Sequence, residues 1–344
     1  MDTKEKKSRH VASLVDQTPR FEGPLGAISH VDGSDLPVLH KLSMRRLLLE
    51  PRGVREPHWH ANANELGYCL RGEALVTIAG NHAQRDSFVV TAGEMFFVPS
   101  GTMHSIENIG EQAAEFVLAF SHEKPEDFGM RASFGAMSNA VLGNTYDLPA
   151  AAFEGFDRVA ETHKILSVAK PTQVEPEARH VNRYKYSIEA AAPQIDFHAG
   201  TAHVTNAGLW PALRDIAMYS VTIGTEGMRE PHWHPETAEM GYVATGTVRM
   251  TILDPDGSTD TYTIGPGQTY FIPRAYPHHI ENVGEGTAHL LIFFDQVFPG
   301  DVGYRTLINT FPRDVIAAGL GIAEKDLPAF PFTEIDPLLV NRVN

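Results

Sequence analysis

The chain has 344 residues, of which 42% are hydrophobic, and this is enough for a sizeable core in each of two domains. Its 43 acidic and 28 basic residues give a net charge of -15 at pH 7, which excludes nucleic acid and anionic membrane surfaces as expected partners. Residues 1–17 lack the apolar run of a signal peptide, and no stretch is long and apolar enough for a membrane span. We therefore expect a soluble, cytoplasmic protein that acts on small molecules.

Short strands separated by turn residues are predicted in both halves of the chain. In the first half they are Leu75–Ile78, Ser87–Val90, Met95–Val98 and Glu115–Leu118, and in the second half Thr247–Ile252, Thr269–Ile272 and His289–Phe294. Strands of this length and spacing indicate β-sandwiches or barrels. Helical patterns follow each group of strands, at about residues 132–142 and 313–320, the second directly after Pro312. The pattern predicts an all-β protein with short appended helices.

The segment from Lys170 to Glu177 contains prolines and acidic residues and is the best candidate for a linker. We therefore divide the chain at this point. Residues 1–170 form an N-terminal arm and a first barrel with appended helices, and residues 171–344 form the linker and a second barrel with C-terminal helices. The single cysteine, Cys69, lies in an apolar run and is predicted to be a buried thiol without a functional role.

An eight-residue segment occurs twice, 174 positions apart. Gly53–His60 reads GVREPHWH, and Gly227–His234 reads GMREPHWH. The same offset relates further matched pairs, namely Glu65 and Glu239, Gly72 and Gly246, Gly93 and Gly267, Pro99 and Pro273, His104 and His278, and Asn108 and Asn282. A constant register over roughly a hundred residues indicates one duplicated domain.

The repeated residues have the composition of a metal site. Side chains alternate between the faces of a strand, so His58 and His60 point to one face and Trp59 to the other. Glu65 from the neighbouring strand and His104 from a later strand complete a set of three imidazoles and one carboxylate. The second copy offers the equivalent ligands His232, His234, Glu239 and His278. Such ligands suit Mn(II), Fe(II), Co(II), Ni(II) or Zn(II), and the duplication predicts two divalent ions per chain.

The spacing of these ligands and of the surrounding glycines resembles the two signature motifs of the cupin superfamily. In the first copy the matching residues are Gly53, His58, His60, Glu65, Gly72, Gly93, Pro99, Gly101, His104 and Asn108. The second copy departs from the pattern where Ala275 replaces a glycine of the second motif, a turn position rather than a ligand. The resemblance implies two tandem jelly-roll β-barrels. Nearly the whole chain is similar to the bicupin oxalate decarboxylases.

That resemblance implies manganese-dependent cleavage of oxalate, or of a close small carboxylate, to formate and carbon dioxide. Dioxygen would be a co-catalyst or co-substrate. The resemblance also assigns substrate binding to Arg55 and Arg229. Both arginines lie three residues before the first histidine ligand, an odd spacing that points them away from the metal in a regular strand. The preceding turn or the intervening proline must therefore redirect them.

The resembled decarboxylases use a glutamate on a short lid as the proton donor, within a Ser-Glu-Asn-type segment. This segment is absent here, and the equivalent positions are Asp127 and Asp301, with Glu126 as a neighbouring substitute for Asp127. The difference leaves open an oxalate oxidase that produces peroxide. An iron-dependent cupin dioxygenase and a non-catalytic metal-binding or storage bicupin are further alternatives. The resemblance also implies a homo-oligomer, either a trimer or a hexamer of two stacked trimers.

Overall fold

The computed structural model of the protein describes residues 8–158 and 164–342. The chain forms two compact units, which we call the first and second barrels. The first barrel contains residues 14–34 and the described residues of 41–190, and the second contains residues 8–13, 35–40 and 191–342. Residues 171–190, which the sequence analysis placed in the second domain, thus belong to the first unit. Their apolar side chains explain this difference, because Ala178 packs against Leu75 and Val89 of the first barrel.

Antiparallel strands build each barrel. The first barrel contains β2 (Phe21–Gly23), β3 (Gly26–Val31), β4 (Ser43–Leu49), β5 (Gly53–His60), β6 (Glu65–Arg71), β7 (Glu73–Ala79), β8 (Arg85–Thr91), β9 (Met95–Val98), β10 (Met103–Asn108), β11 (Ala114–Phe120), β12 (Asp127–Gly129), β13 (Ile165–Ser167) and β14 (Lys185–Tyr186). The second barrel contains β1 (Val11–Ser13), β15 (Ile195–Phe197), β16 (Gly200–Thr205), β17 (Ala217–Ile223), β18 (Gly227–Trp233), β19 (Glu239–Thr245), β20 (Val248–Leu253), β21 (Thr259–Ile264), β22 (Gln268–Ile272), β23 (His278–Asn282), β24 (Ala288–Phe294), β25 (Val302–Gly303) and β26 (Leu339–Asn341). The strands predicted from the sequence are confirmed, with ends shifted by a few residues.

Each barrel consists of two sheets. In the first barrel the strand orders are β14-β9-β6-β11-β4-β3-β2 and β12-β5-β10-β7-β8, and β13 also pairs with β5. The second barrel repeats this arrangement with β1-β22-β19-β24-β17-β16-β15 and β21-β20-β23-β18-β25, and β26 pairs with β18. The two barrels therefore share one topology, as the sequence repeat predicted.

Alternation along the strands fills the interior of each barrel. In the first barrel Val76, Phe88 and Ile106 are fully buried in one apolar cluster, and in the second Met250 and Ile280 occupy the corresponding core. Burial of apolar area on this scale is the main stabilising contribution to each barrel. The metal ligands project into the same interiors and are buried there.

Four α-helices occur in the described part of the chain: α1 (Met130–Ala136), α2 (Asn139–Tyr146), α3 (Tyr304–Leu307) and α4 (Arg313–Leu320). The single helix predicted at residues 132–142 is two helices, because Ser138 interrupts it and caps α2, accepting a 3.2 Å hydrogen bond from the Val141 amide. The prediction of α4 is confirmed, and Gly321 ends it in the left-handed region at φ 69°. Short 3-10 helices lie at Asn81–Ala83, Ala150–Phe153, Pro176–Arg179, Ile188–Ala190 and Glu324–Asp326. Within residues 8–158 and 164–342, none of the helices has the length and hydropathy needed to cross a membrane.

Candidate metal centres

A β-bulge in β5 brings Arg55 to the interior face of the first barrel. On β10, His104 pairs with His58 and Ile106 pairs with Arg55, so a step of two residues on β10 matches a step of three on β5. The extra residue reverses the alternation between Arg55 and His58. The second barrel has the same bulge, because His278 and Ile280 pair with His232 and Arg229. The bulge lies in the segment that contains the proline, between the arginine and the first histidine ligand. This segment, and not the preceding turn, therefore redirects the arginine towards the interior.

Four buried side chains converge in the first barrel, namely the predicted ligands His58, His60, Glu65 and His104. Their ligand atoms all lie within 4.8 Å of one another. Oε2 of Glu65 lies 2.8 Å from Nε2 of His60 and 3.2 Å from Nε2 of His104. Burial disfavours ionisation of Glu65, yet the neighbouring imidazoles of His104 and His60 hold its pKa well below the usual range. The carboxylate is thus ionised and points into the cluster.

The backbone and Asp127 orient the three imidazoles of the first barrel. Nδ1 of His58 lies 2.7 Å from the Glu56 carbonyl oxygen, and Nδ1 of His104 lies 3.0 Å from that of Thr102. Nδ1 of His60 instead lies 2.8 Å from Oδ1 of Asp127. Since a neutral imidazole that donates through Nδ1 keeps its lone pair on Nε2, each ring presents the atom that binds a metal. Burial and, after it, the charge of Arg55 lower the pKa of His58 well below 6.5, which favours this neutral form.

The second barrel repeats the cluster with His232, His234, Glu239 and His278, all buried. Nδ1 of His232 lies 2.7 Å from the Glu230 carbonyl oxygen, Nδ1 of His234 lies 2.8 Å from that of Gly300, and Nδ1 of His278 lies 2.9 Å from that of Tyr276. The three imidazoles again turn Nε2 towards the carboxylate. The geometry groups all eight residues that the sequence singled out, four in each barrel.

Unpartnered polar atoms test whether these clusters suit a metal ion. Oε1 of Glu65 and the Nε2 atoms of His232 and His278 are buried and have no hydrogen-bond partner among the described residues. Such atoms cost free energy unless another group contacts them, and a divalent cation would do so. Imidazole and carboxylate ligands suit borderline and hard divalent ions. The two buried His/Glu sites therefore fit two metal ions per chain.

Buried Arg55 forms an ion pair with half-buried Asp127 beside the first centre. Nη2 of Arg55 lies 3.1 Å from Oδ2 of Asp127, and Arg45 donates to both oxygens of Asp127 at 2.7 and 2.9 Å. Burial would raise the pKa of Asp127, but its hydrogen bond from His60 and the charge of Arg45 hold that pKa far below the usual range. Asp127 is therefore a fixed carboxylate behind His60, and its two oxygens already accept four hydrogen bonds.

Asp301 occupies the equivalent position in the second barrel, and its surroundings differ. It forms an ion pair with Arg229, while Oδ1 lies 4.0 Å from Nε2 of His232 and 3.8 Å from Nδ1 of His234. Nδ1 of His234 donates to Gly300 rather than to Asp301. Asp301 thus has fewer close contacts than Asp127 and lies within reach of a metal-facing nitrogen.

Glu126 lies on the surface of the first barrel. Its side chain is exposed, and its backbone amide donates to the Asn62 side chain at 2.9 Å.

Cys69 is buried, and burial raises the pKa of its thiol to about 12. The prediction that Cys69 is a buried thiol is confirmed.

Four residues near the metal ligands were not predicted from the sequence to belong to the centres. Arg45 contacts Asp127, and Tyr219 holds the corresponding place in the second barrel. The Tyr270 hydroxyl donates to Oε1 of Glu239 at 2.7 Å, whereas Phe96 stands at the matching position of the first barrel and has no such donor. Arg45 and Tyr219, like Phe96 and Tyr270, are 174 positions apart. An alignment of the two copies would therefore have shown that these positions differ although the ligands are identical.

Comparison with known proteins agrees with this geometry. A protein-family model described as Cupin matches residues 12–152 and 186–327. The chain is 26% identical to the oxalate decarboxylase of Bacillus subtilis over 306 residues, which cover 87% of this chain and 79% of that protein. A solved structure of the same Bacillus subtilis enzyme, from work on its Mn(II) centres, matches with a TM-score of 0.85 and 26% identity over 97% of this chain and 89% of that chain. A wheat (Triticum aestivum) oxalate oxidase is 36% identical over 104 residues, which cover 29% of this chain and 46% of that protein. Since the family model spans both barrels and most of the sequence, the chain belongs to the cupin family.

Proposed function

We propose that this protein is a manganese-dependent oxalate decarboxylase, which cleaves oxalate or a close small carboxylate to formate and carbon dioxide with dioxygen as a co-catalyst or co-substrate. The observation that carries the proposal is the pairing of each buried His/Glu cluster with a buried arginine, Arg55 or Arg229. The chain is also similar to an oxalate decarboxylase over most of its length, whereas the similarity to oxalate oxidases covers 29% of it.

The ligands of each centre give a bound metal a suitable charge. Three neutral imidazoles and one carboxylate leave a divalent ion with a net charge of about +1, which attracts an anionic diacid. The metal would supply a Lewis acid and redox partner for the substrate carboxylate. The apolar side chains around the ligands exclude water and strengthen these electrostatic interactions.

Arg55 and Arg229 would bind and polarise the second carboxylate of the substrate. A guanidinium carries five N–H donors in a planar fork that matches a carboxylate. Arg55 is held by Asp127 and donates to the Lys164 carbonyl oxygen at 3.3 Å, and Arg229 is held by Asp301 and donates to the Leu338 carbonyl oxygen at 3.1 Å. These contacts fix each guanidinium before substrate binds, which lowers the entropic cost of orienting it.

The release of carbon dioxide leaves a carbon that must accept a proton. Of the three acids identified in the sequence, we propose Asp301 as the proton donor. Asp127 is held as a carboxylate by Arg45, Arg55 and His60, and Glu126 points to solvent. We assign Asp127 a positioning role, in which it orients Arg55 and His60, and we propose that the second centre is the main site of decarboxylation.

Oxalate oxidase is the second candidate function, and one observation favours it. The first centre offers no acid in a protonated form at the position of Asp127, because that carboxylate is held by two arginines. Oxalate bound there would lack a proton for formate and could instead be oxidised to carbon dioxide while dioxygen is reduced to peroxide. The two candidates therefore differ in their products rather than in their metal.

A product analysis tests the proposal. Protein loaded with manganese, and with its metal content measured, is incubated with carbon-13 oxalate in air at mildly acidic pH. Formate is followed by NMR and peroxide by a parallel assay. Formate as the main product supports the decarboxylase, and peroxide without formate supports the oxidase. If neither product forms with both centres filled, oxalate is the wrong substrate, and the dioxygenase and storage alternatives become the better account.

We also propose that the protein is a cytoplasmic homo-oligomer, a trimer or a hexamer, assembled through its appended helices. Helix α2 exposes half of the surface of Val141 and Tyr146, and α4 and its flanks similarly expose Val315 and Phe311. Exposed apolar groups of this size are typical of protein interfaces. Light scattering that returns the mass of a single chain would contradict the proposed assembly.

A further inference from the structure

A third group of metal-binding side chains lies in the second barrel, away from the two centres. This arm cluster consists of His10, Asp254 and Asp260, whose ligand atoms all lie within 4.8 Å of one another. His10 precedes strand β1 of the N-terminal arm, and the two aspartates flank the turn between β20 and β21. The cluster therefore connects the arm to a hairpin that is distant in sequence.

The imidazole of His10 is held in one orientation. Its Nδ1 lies 2.9 Å from the carbonyl oxygen of Phe271, and the Phe271 amide donates to the His10 carbonyl oxygen at 2.8 Å. Nδ1 thus donates its hydrogen to the backbone, and Nε2 faces the aspartates. The imidazoles of the two centres are oriented towards their metal sites in the same way, five of the six by a backbone carbonyl oxygen.

Two buried polar atoms of the arm cluster have no hydrogen-bond partner among the described residues. Nε2 of His10 and Oδ2 of Asp254 are both buried and unpartnered, and the two residues are 1% and 4% exposed. Nε2 lies 3.5 Å from Oδ1 of Asp254, which is too long for a good hydrogen bond. Each of the two centres has one histidine–glutamate distance of similar length, 3.2 Å in the first and 3.4 Å in the second, beside a shorter one of 2.8 or 2.9 Å. Leaving such atoms unsatisfied costs free energy, and a shared cation removes that cost.

Arg9 does not satisfy these atoms. Its side chain is 47% exposed, and its nitrogens lie 3.5 Å from Asp254 and 3.9 Å from Asp260. Ion pairs at such distances and exposures contribute little. Two carboxylates and Arg9 leave the arm cluster with a charge of about -1 when His10 is neutral, so a divalent ion would bring it to about +1, as in the two centres.

We propose that His10, Asp254 and Asp260 form a third metal site, which takes a borderline divalent ion such as Zn(II). One imidazole nitrogen and two carboxylate oxygens are ligands that Zn(II) accepts, with water completing the coordination. The Tyr262 hydroxyl donates to Oδ2 of Asp260 at 3.2 Å and orients that carboxylate. The bound ion would fasten the N-terminal arm to the second barrel, a structural role that does not depend on the proposed catalytic activity.

Metal counting on the full-length protein tests the proposal. Wild type, His10→Ala and Asp254→Asn are dialysed to equilibrium against micromolar Zn(II), and bound zinc is measured by mass spectrometry. We expect wild type to hold one more zinc ion per chain than either variant. His198→Ala, which removes an exposed histidine of the same barrel, is the matched control and should bind as much zinc as wild type.

Hydrogen exchange adds a readout that locates the ion. Zinc should slow amide exchange in Val11–Ser13 of wild type and leave it unchanged in His10→Ala. If Asp254→Asn does not fold, Asp260→Asn replaces it, because that side chain is 26% exposed and tolerates change better. Equal zinc content in wild type and the variants would overturn the proposal and leave His10 and Asp254 as a buried pair.

Discussion

The two metal centres have identical ligands, but the side chains behind those ligands differ. In the first barrel Arg45 holds Asp127, whereas in the second barrel Tyr219, which carries no positive charge, occupies the place of Arg45. In the second barrel Tyr270 donates to Glu239, whereas Oε1 of Glu65 in the first has no partner among the described residues. After duplication, the ligand sets remained the same while their supports diverged.

This comparison suggests a division of roles. The second centre pairs a partly free acid, Asp301, with a glutamate ligand whose outer oxygen is fixed by Tyr270. The first centre pairs a fixed carboxylate, Asp127, with a ligand whose outer oxygen can still move or bind the metal. Identical ligands therefore do not imply identical chemistry, since the outer groups set ligand orientation and proton supply.

Removal of a carboxylate ligand is expected to have the largest effect. Glu65→Ala and Glu239→Ala should each lose one manganese ion per chain, measured by metal analysis of the purified protein. Formate production should fall by more than about 10⁴-fold in Glu239→Ala, because loss of the metal removes more than the contribution of a general acid. It should fall much less in Glu65→Ala. Equal losses in both variants would break the proposed division of roles.

Replacement of the proton donor is expected to come next. Asp301→Asn should lower the rate of formate production about 10²-fold to 10⁴-fold, the usual contribution of a general acid, and should raise the share of peroxide. Asp127→Asn is the matched variant in the first barrel, and it should retain most of the formate. NMR for formate and a peroxide assay on the same samples provide the measurement. A larger loss in Asp127→Asn would reverse the assignment of the acid.

Exchange of the two aromatic residues sharpens the comparison further. Tyr270→Phe removes the donor to Glu239 and should weaken the second metal site about 10-fold to 100-fold, while Phe96→Tyr should supply a donor to Glu65. Because each change alters one Mn(II) environment, the electron paramagnetic resonance signals of the two centres should become more alike in each variant. Unchanged spectra in both variants would mean that the hydroxyl does not influence the metal.

Acid stability gives a smaller effect, to which Asp127 of the first barrel contributes. The pKa of Asp127 is depressed in the folded state, so its contribution is complete above the unfolded value near 3.8 and is lost as the pH falls below it. The unfolding free energy of metal-free protein should therefore drop below pH 4 by up to about 3 kcal/mol, and this drop should shrink in Asp127→Asn. Denaturant titrations at several pH values measure it. The same pH dependence in both proteins would show that Asp127 does not contribute.

Loss of a helix cap is expected to have the smallest effect. Ser138→Ala removes the acceptor for the Val141 amide and should destabilise the protein by about 1 kcal/mol, without altering metal content. Thermal unfolding measures it, and Ser138→Asn, which keeps a capping group, is the control. A change in metal content would link α2 to the first centre, which we do not expect.

The sequence predicted the ligands and the barrels because both depend on local patterns repeated in register. His58, His60 and Glu65 lie within eight residues, and the repeat supplied His104 and its counterpart. The orientation of Arg55 could not be predicted, because it depends on a bulge that appears only when β5 pairs with β10.

Contacts between distant strands also lay beyond the sequence. The charge state of Asp127 depends on Arg45, which is 82 residues away in the sequence. The arm cluster joins residues that are more than 200 positions apart. Nothing in the spacing of these residues shows that they meet. The partners of a carboxylate, which decide whether it can donate a proton, are thus the part of the site that required the structure.

The most direct test of the account compares the products of three manganese-loaded proteins: wild type, Glu65→Ala and Glu239→Ala, each supplied with carbon-13 oxalate in air. The account predicts formate as the main product of wild type and of Glu65→Ala, and little formate from Glu239→Ala. It would be contradicted if wild type with both centres filled produced no formate, or if Glu239→Ala produced formate as fast as wild type.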